Sequence, residues 1–210
     1  LVVWLAALAV SAPVLAAKIQ YTFDDWAGPP LRVYATRPVG LAADRPVLIV
    51  MHGVRRNARD YRDQWHELAK RHDFLLLVPE FGERDFPGAE GYNFGYRRDS
   101  DGRPRPRERW AFAALEPLFD DARRRFGSTA DRYALYGHSA GAQFVHRYLY
   151  FVPGARLARV VPANAGWYTM RAAVEYGSPG ATLVAAHSHM RRHPETGAAV
   201  SGSGVLLFDD

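Results

Sequence analysis

The sequence contains no cysteine and almost no lysine. The absence of cysteine excludes a disulfide, a thiolate nucleophile and a cysteine-ligated metal site. Lysine occurs only as Lys18 and Lys70, so arginine carries nearly all of the positive charge behind the net charge of +5. The arginines are scattered and mixed with acidic residues, even in the densest cluster, residues 97–109. This distribution is typical of a solvated surface, with an anionic substrate or surface as the alternative, and we expect no nucleic acid partner.

The chain also lacks an apolar run of the roughly 20 residues that a membrane span requires. Its N-terminal segment, residues 1–17, is apolar at first and then rich in small residues. This pattern resembles a secretory signal peptide, although an initiating Met and a basic n-region are absent. We interpret residues 1–17 as a signal peptide remnant, with a buried helix or a membrane anchor as alternatives. We therefore expect an exported protein, either secreted or periplasmic, without a stable membrane span.

Strand and helix patterns alternate along residues 18–170, which we take as one core domain. Two segments of alternating polarity, residues 18–23 and 31–38, predict an antiparallel hairpin. Continuous apolar runs predict four buried parallel strands, at residues 47–51, 73–81, 132–137 and 156–166. Helical patterns lie between these runs, at residues 57–72, 107–127 and 140–151. The alternation predicts a three-layer α/β sandwich with a mostly parallel sheet.

Two of the helical patterns carry more detailed expectations. In residues 57–72, Asn57 can serve as the N-cap, and Tyr61, Trp65 and Leu68 fall on one face of the helix at spacings of four and three. In residues 107–127, Pro117 either kinks the helix or begins a second one. Between the second apolar run and this helix lies a long polar segment, residues 82–106, which is either functional or disordered.

The segment Gly137-His138-Ser139-Ala140-Gly141 fits the G-x-S-x-G pattern, and it follows a predicted strand and opens a predicted helix. So sharp a turn needs glycine at the flanking positions, because side chains there would clash. The serine hydroxyl then stands at a helix N-terminus, whose dipole favours a developing anion. The pattern predicts Ser139 as a nucleophile, with a structural glycine turn as the alternative.

A serine nucleophile needs two N–H donors for the oxyanion of its tetrahedral intermediate. We expect the first from Ala140, directly after the nucleophile, and the second from Val54 in the loop that follows residues 47–51. Gly53 would let this loop approach the substrate closely. We interpret His52 as a residue that ties down the loop by hydrogen bonds, because a base at this position would break the usual order of serine, acid and histidine.

The stretches "VLIVMHGVRRNARDY" and "YGHSAGAQFVHRY" resemble the α/β-hydrolase superfamily. Within it, the chain is similar to the secreted poly(3-hydroxybutyrate) depolymerase and feruloyl-esterase-like group. That group shares the apolar strand ending in His-Gly, an asparagine and an aromatic residue in the next helix, and a small residue after the nucleophile. The resemblance covers roughly residues 18–170.

The resemblance implies hydrolysis of a carboxylic ester through an acyl-enzyme at Ser139, without a metal or a cofactor. The implied partner is a polyester or an aromatic ester. A serine peptidase of the same fold, or a non-catalytic hydrolase-like protein, is the alternative. The sequence does not indicate an oligomeric state.

Residues 171–210 do not supply the acid and the histidine in the order that the superfamily uses. The available acids and histidines after Ser139 are Glu175, Glu195, Asp209, Asp210, His146, His187, His189 and His193. His146 lies about 10 Å along the helix from Ser139, which makes it a poor base. We leave the catalytic acid and histidine unassigned. We expect that this atypical segment is truncated or altered and that the chain lacks its base.

Two further groups of residues are candidates for ligand contacts. Trp167 and Tyr168 follow the fourth apolar run, at the sheet edge where ligands bind in such folds, and either line a substrate pocket or belong to the core. The closely spaced His187, His189 and His193 have metal-ligand chemistry, but the arginines between them favour an exposed loop, and we assign no metal site.

Overall fold

The computed structural model describes residues 16–166, and of residues 182–192 and 199–207 it describes the backbone. Its strands are β1 (Ala17–Phe23), β2 (Leu31–Arg37), β3 (Val47–Met51), β4 (Leu75–Glu80), β5 (Tyr133–His138), β6 (Leu157–Ala163), β7 (Thr182–Arg192) and β8 (Ala199–Leu207). They form one sheet in the order β1-β2-β4-β3-β5-β6-β7-β8. The four central pairings, from β4 to β7, are parallel, and β1–β2, β2–β4 and β7–β8 are antiparallel. The predicted hairpin and the mostly parallel sheet are confirmed.

Helices cover both faces of the sheet. They are α1 (Ala58–His72), α2 (Gly88–Gly91), α3 (Leu115–Phe126) and α4 (Ala140–Phe151). The alternation along β3 shows how the faces are divided: Ile49 packs in the core that includes α3 and α4, whereas Val50 packs against α1. Because successive side chains of a strand point to opposite faces, a continuous apolar run serves both layers. The three-layer α/β sandwich is confirmed.

The start and the buried face of α1 differ from the sequence-based expectation. Asn57 occupies the N-cap position, but its side chain caps no backbone N–H and instead donates to Asp60 at 3.0 Å. Of the apolar residues on one face, Tyr61 and Trp65 pack against the core, whereas Leu68 is 40% exposed. The buried positions are Ala58, Arg62 and Ala69. Arg62 takes this place because its guanidinium lies within 3.5 Å of two carbonyl oxygens of the hairpin formed by β1 and β2.

The segment before β5 resolves the expectation for Pro117. Two short 3₁₀ turns, Arg107–Arg109 and Ala111–Ala114, precede α3, and Pro117 is the third residue of that helix. The missing N–H of a proline removes no helical hydrogen bond in the first turn, so Pro117 marks the start of a second helix and makes no kink. Gly127 ends α3 in the left-handed conformation, with φ of 68°.

The polar segment 82–106 is ordered by a few buried aromatic residues. It contains α2 and an isolated bridge between Arg98 and Pro104. Phe86 and Tyr92 are fully buried in the main core. Beyond residue 166, the described backbone forms β7, of 11 residues, and β8, of 9 residues. Among the described residues, no helix combines the length and apolar character needed to cross a membrane.

Candidate active site

Ser139 lies in the sharp turn between β5 and α4, residues 137–141, which we call the elbow. Its backbone has φ of 55° and ψ of −115°, a region that residues with a β-carbon rarely adopt. The turn is held from both sides, because the Ser139 N–H donates to Ala163 O on β6 at 3.0 Å and the Gln143 N–H donates to Ser139 O at 3.1 Å. Strain of this kind persists only where the surroundings fix it, and it occurs typically at functional sites.

The two glycines that flank Ser139 have no room for a side chain. A β-carbon on Gly137 would overlap the carbonyl group of Gly141. A β-carbon on Gly141 would overlap the carbonyl oxygen of Met51 and lie 2.7 Å from that of His52. The first turn of α4 therefore lies directly on the end of β3. This contact brings the turn after β3 next to the serine.

The turn after β3 lies close to Ser139. It is closed by the Arg56 N–H, which donates to Gly53 O at 3.1 Å. A β-carbon on Gly53 would stand 3.9 Å from the β-carbon of Ser139, so the turn approaches the serine closely. No described residue accepts a hydrogen bond from the backbone N–H of Val54 or of Ala140. The structure thus places Val54 and Ser139 in the lining of one cleft, and Ala140 follows the serine as the first residue of α4.

His52 is buried beneath this turn with both ring nitrogens engaged. Its Nε2 accepts from the Phe81 N–H at 3.0 Å, which leaves the ring proton on Nδ1 to donate to Gly53 O at 3.0 Å. The ring stacks on Tyr92, whose hydroxyl donates to His52 O at 2.8 Å. Burial lowers the pKa of His52 to about 4, and the nearby Arg56 cation acts in the same direction. A neutral ring with both nitrogens engaged holds the turn and has no position left for base catalysis.

His138, the residue before the nucleophile, contacts α1. Its Nδ1 lies 2.9 Å from the hydroxyl of Tyr61. The same hydroxyl lies against Gly53, where a β-carbon would approach it to 3.0 Å. Burial raises the pKa of Tyr61, so it stays protonated and can donate to His138. The contact joins the helix, the elbow and the turn after β3.

Arg56 is a site residue that the sequence analysis missed. Its guanidinium is buried and donates to the carbonyl oxygens of Phe81, Phe86 and Gly88. The chain offers no local pattern for these bonds, because the acceptors lie 25 to 32 residues further along. The only hint in the sequence is a second arginine directly after Arg55.

A cleft of about 430 Å³ opens beside Ser139. It is lined by the turn after β3 (Gly53, Val54, Arg55 and Asn57), by one face of α1 (Tyr61, Gln64 and Trp65) and by the end of β5 with the elbow (Tyr136, His138 and Ser139). None of these lining residues is acidic, and Arg55 is the one with a fixed charge. The lining includes no residue of segment 82–106, which instead packs against α4, for example through Asn93 and Gln143 at 3.2 Å.

The remaining candidates from the sequence either have no described side chain or do not line the cleft. Trp167, Tyr168 and His193 lie outside the described residues, and His187 and His189 lie on β7, of which the backbone is described. His146 is buried on α4, where its Nε2 lies 3.2 Å from the Tyr150 hydroxyl. Within the described part of the chain, no three acidic or histidine side chains converge as metal ligands.

Comparison with known proteins agrees with this architecture. No protein-family model and no curated protein matches the chain. Among solved structures, the chain is similar to poly(aspartic acid) hydrolase-1 from Sphingomonas sp. KT-1, with 38% identity and a TM-score of 0.76, over 88% of this chain and 77% of that one. It is also similar to LpqC, a poly(3-hydroxybutyrate) depolymerase from Bordetella parapertussis, with 34% identity and a TM-score of 0.70, over 84% of this chain and 67% of that one.

The fold, the elbow and these similarities define the chain as a hydrolase. It belongs to the α/β-hydrolase superfamily, and within that superfamily it is similar to poly(3-hydroxybutyrate) depolymerases. The family expected from the sequence is thereby confirmed.

Proposed function

We propose that the protein is a serine hydrolase that cleaves carboxylic esters through an acyl-enzyme at Ser139. The supporting observation is the strained Ser139, which lines one cleft with Val54 and precedes Ala140, while no described residue accepts a hydrogen bond from the backbone N–H of Val54 or Ala140. Preorganised donors of this kind stabilise an oxyanion without reorganisation during the reaction.

In the proposed reaction, the Ser139 oxygen attacks the ester carbonyl, and the carbonyl oxygen gains negative charge between the two N–H groups. Collapse of the tetrahedral intermediate expels the alcohol and leaves an acyl-Ser139 ester, which water then hydrolyses. The proton transfers need a general base. His52 is excluded because both of its ring nitrogens bond to backbone groups. The proposal assigns no described side chain as that base and requires, against the expectation from the sequence, that the chain supplies one.

For the substrate we propose a polyester or an aromatic ester. The similarity to a poly(3-hydroxybutyrate) depolymerase supports the polyester. We also retain residues 1–17 as a signal peptide remnant, residues 18–170 as the hydrolase domain and residues 171–210 as an atypical segment, and with them the proposal that the protein is exported.

The test is hydrolysis of p-nitrophenyl butyrate by the wild-type chain, Ser139→Ala and Ser128→Ala. Ser128 is a matched control, since it is a half-buried serine in the loop that follows α3 and does not line the cleft. We expect Ser139→Ala to fall to the background rate and Ser128→Ala to match the wild type. Hydrolysis that survives in Ser139→Ala would rule out Ser139 as the nucleophile.

An amide-bond hydrolase acting on an anionic polymer is a second candidate. It is favoured by the 38% identity to a poly(aspartic acid) hydrolase and by Arg55, the fixed charge in a cleft whose described lining has no acid. Poly(aspartic acid) incubated with the wild-type chain would then shorten in size-exclusion chromatography. Arg55→Gln would slow this cleavage, whereas Arg59→Gln, at an exposed position that does not line the cleft, would not. No shortening by the wild type would exclude this candidate.

A further inference from the structure

Arg56 makes several hydrogen bonds through its two terminal nitrogens, whereas its buried Nε has no hydrogen-bond partner among the described residues. Its guanidinium donates to Phe81 O at 2.9 Å, to Phe86 O at 3.2 Å and to Gly88 O at 2.8 Å. It also forms an ion pair with Glu83 at 3.1 Å and lies 4.3 Å above the ring of Tyr92. The planar guanidinium presents its donors from separate nitrogens in a fixed fork, which suits carbonyl oxygens on three different residues, whereas the three donors of a lysine ammonium leave from one nitrogen.

Arg56 is the last residue of the turn that carries Val54. Its N–H closes the turn onto Gly53 O, and its φ of 58° is a left-handed value that a residue with a β-carbon adopts at a cost. The side-chain bonds to segment 81–88 hold that conformation in place. A shift of Arg56 would therefore move the peptide group of Val54, two residues before it.

We propose that Arg56 is a positioning residue that fixes the Val54 N–H where the oxyanion of the substrate develops. This inference rests on the proposed function, because it concerns the donor that the proposed reaction uses. Arg56 does not line the cleft, so it acts through the turn and without touching the substrate.

The same protein contains a matched control in Arg62. Arg62 is also a buried arginine, and its guanidinium also lies near backbone carbonyl oxygens, those of Ile19 and Ala35 at 3.5 Å. It braces α1 against the hairpin of β1 and β2 and does not line the cleft. Replacement of either arginine by lysine loosens a buried contact, but only Arg56→Lys should disturb the turn after β3.

The first measurement is amide hydrogen exchange of the full-length wild type, Arg56→Lys and Arg62→Lys, read by mass spectrometry. We expect Arg56→Lys to exchange faster in peptides that cover residues 52–57 and 81–92. Arg62→Lys should exchange faster only in the hairpin and α1. Unchanged exchange at residues 52–57 in Arg56→Lys would overturn the proposal whether or not the protein hydrolyses esters.

The second measurement is the hydrolysis of p-nitrophenyl butyrate by the same three proteins, each confirmed as folded by its urea transition. A misplaced donor weakens transition-state binding, so we expect Arg56→Lys to lower kcat by about 10- to 100-fold and to leave KM nearly unchanged. Arg62→Lys should keep the wild-type kcat. An active wild type and an unchanged kcat in Arg56→Lys would overturn the proposal.

A wild type without Ser139-dependent activity would instead refute the proposed function. The exchange result would then decide by itself whether Arg56 holds the turn, and the two failures stay distinguishable.

Discussion

Replacement of Ser139 by glycine should stabilise the protein relative to replacement by alanine. The backbone at this position, with φ of 55° and ψ of −115°, costs a residue with a β-carbon about 1–3 kcal/mol. Glycine relieves that cost, but it adds about 0.5–1 kcal/mol of chain entropy to the unfolded state. We therefore expect Ser139→Gly to exceed Ser139→Ala in the free energy of unfolding by about 1 kcal/mol.

The assay is urea unfolding of both variants, with equal slopes as the condition for comparing them. Both variants lack the hydroxyl, so their difference isolates the backbone strain. Ser128 is the matched control, because its φ is not positive. At this position the Gly variant should be less stable than the Ala variant. The reasoning would be refuted if Ser139→Gly were less stable than Ser139→Ala.

Three other predictions follow from the packing of the site. Gly141→Ala should destabilise the protein by about 3 kcal/mol or more in thermal or urea unfolding, because the added β-carbon meets backbone atoms that cannot move away. Gly154→Ala is the control: the space around Gly154 is open, so its stability should stay within about 0.5 kcal/mol of the wild type. Equal stability of the two variants would contradict the geometry of the elbow. The pKa of His52 is about 4 in the folded protein and about 6.5 in the unfolded chain. Between these pH values the His52 ring is protonated only in the unfolded chain, so His52 should lower the free energy of unfolding by up to about 3 kcal/mol as the pH falls from 6.5 to 4. An NMR titration of the His52 ring with a midpoint near 6.5 would disprove this. Asn57→Ala should change stability by less than about 0.5 kcal/mol in urea unfolding, since the side chain caps no N–H; a loss near 1 kcal/mol would indicate a working cap.

The sequence predicted the elbow because each part of it is local. A strand pattern, two glycines around Ser139 and a helix pattern occupy consecutive residues, and the structure gives the physical reason for both glycines. Gly53 and Val54 could be anticipated for the same reason, since they directly follow a buried strand. Short-range patterns thus placed the two backbone segments that meet at the candidate site.

What the sequence could not show depends on residues far apart in the chain. Arg56 contacts carbonyl groups 25 to 32 residues away, and Tyr61 contacts His138 at a separation of 77 residues. The burial of Arg62 in place of Leu68 has the same origin, because its guanidinium reaches the hairpin of β1 and β2. Helical spacing predicts which residues share a face, but the neighbouring strands decide which face is buried.

An activated Ser139 should react covalently with an electrophilic probe. Covalent labelling therefore tests directly whether Ser139 is a nucleophile. The wild-type chain and Ser139→Ala would be incubated with a reactive alkyl phosphonate, and the intact mass and the modified peptide determined. We expect one adduct, on the peptide that contains Ser139, and no adduct in Ser139→Ala. An unlabelled wild type, or a label that persists in Ser139→Ala, would contradict it.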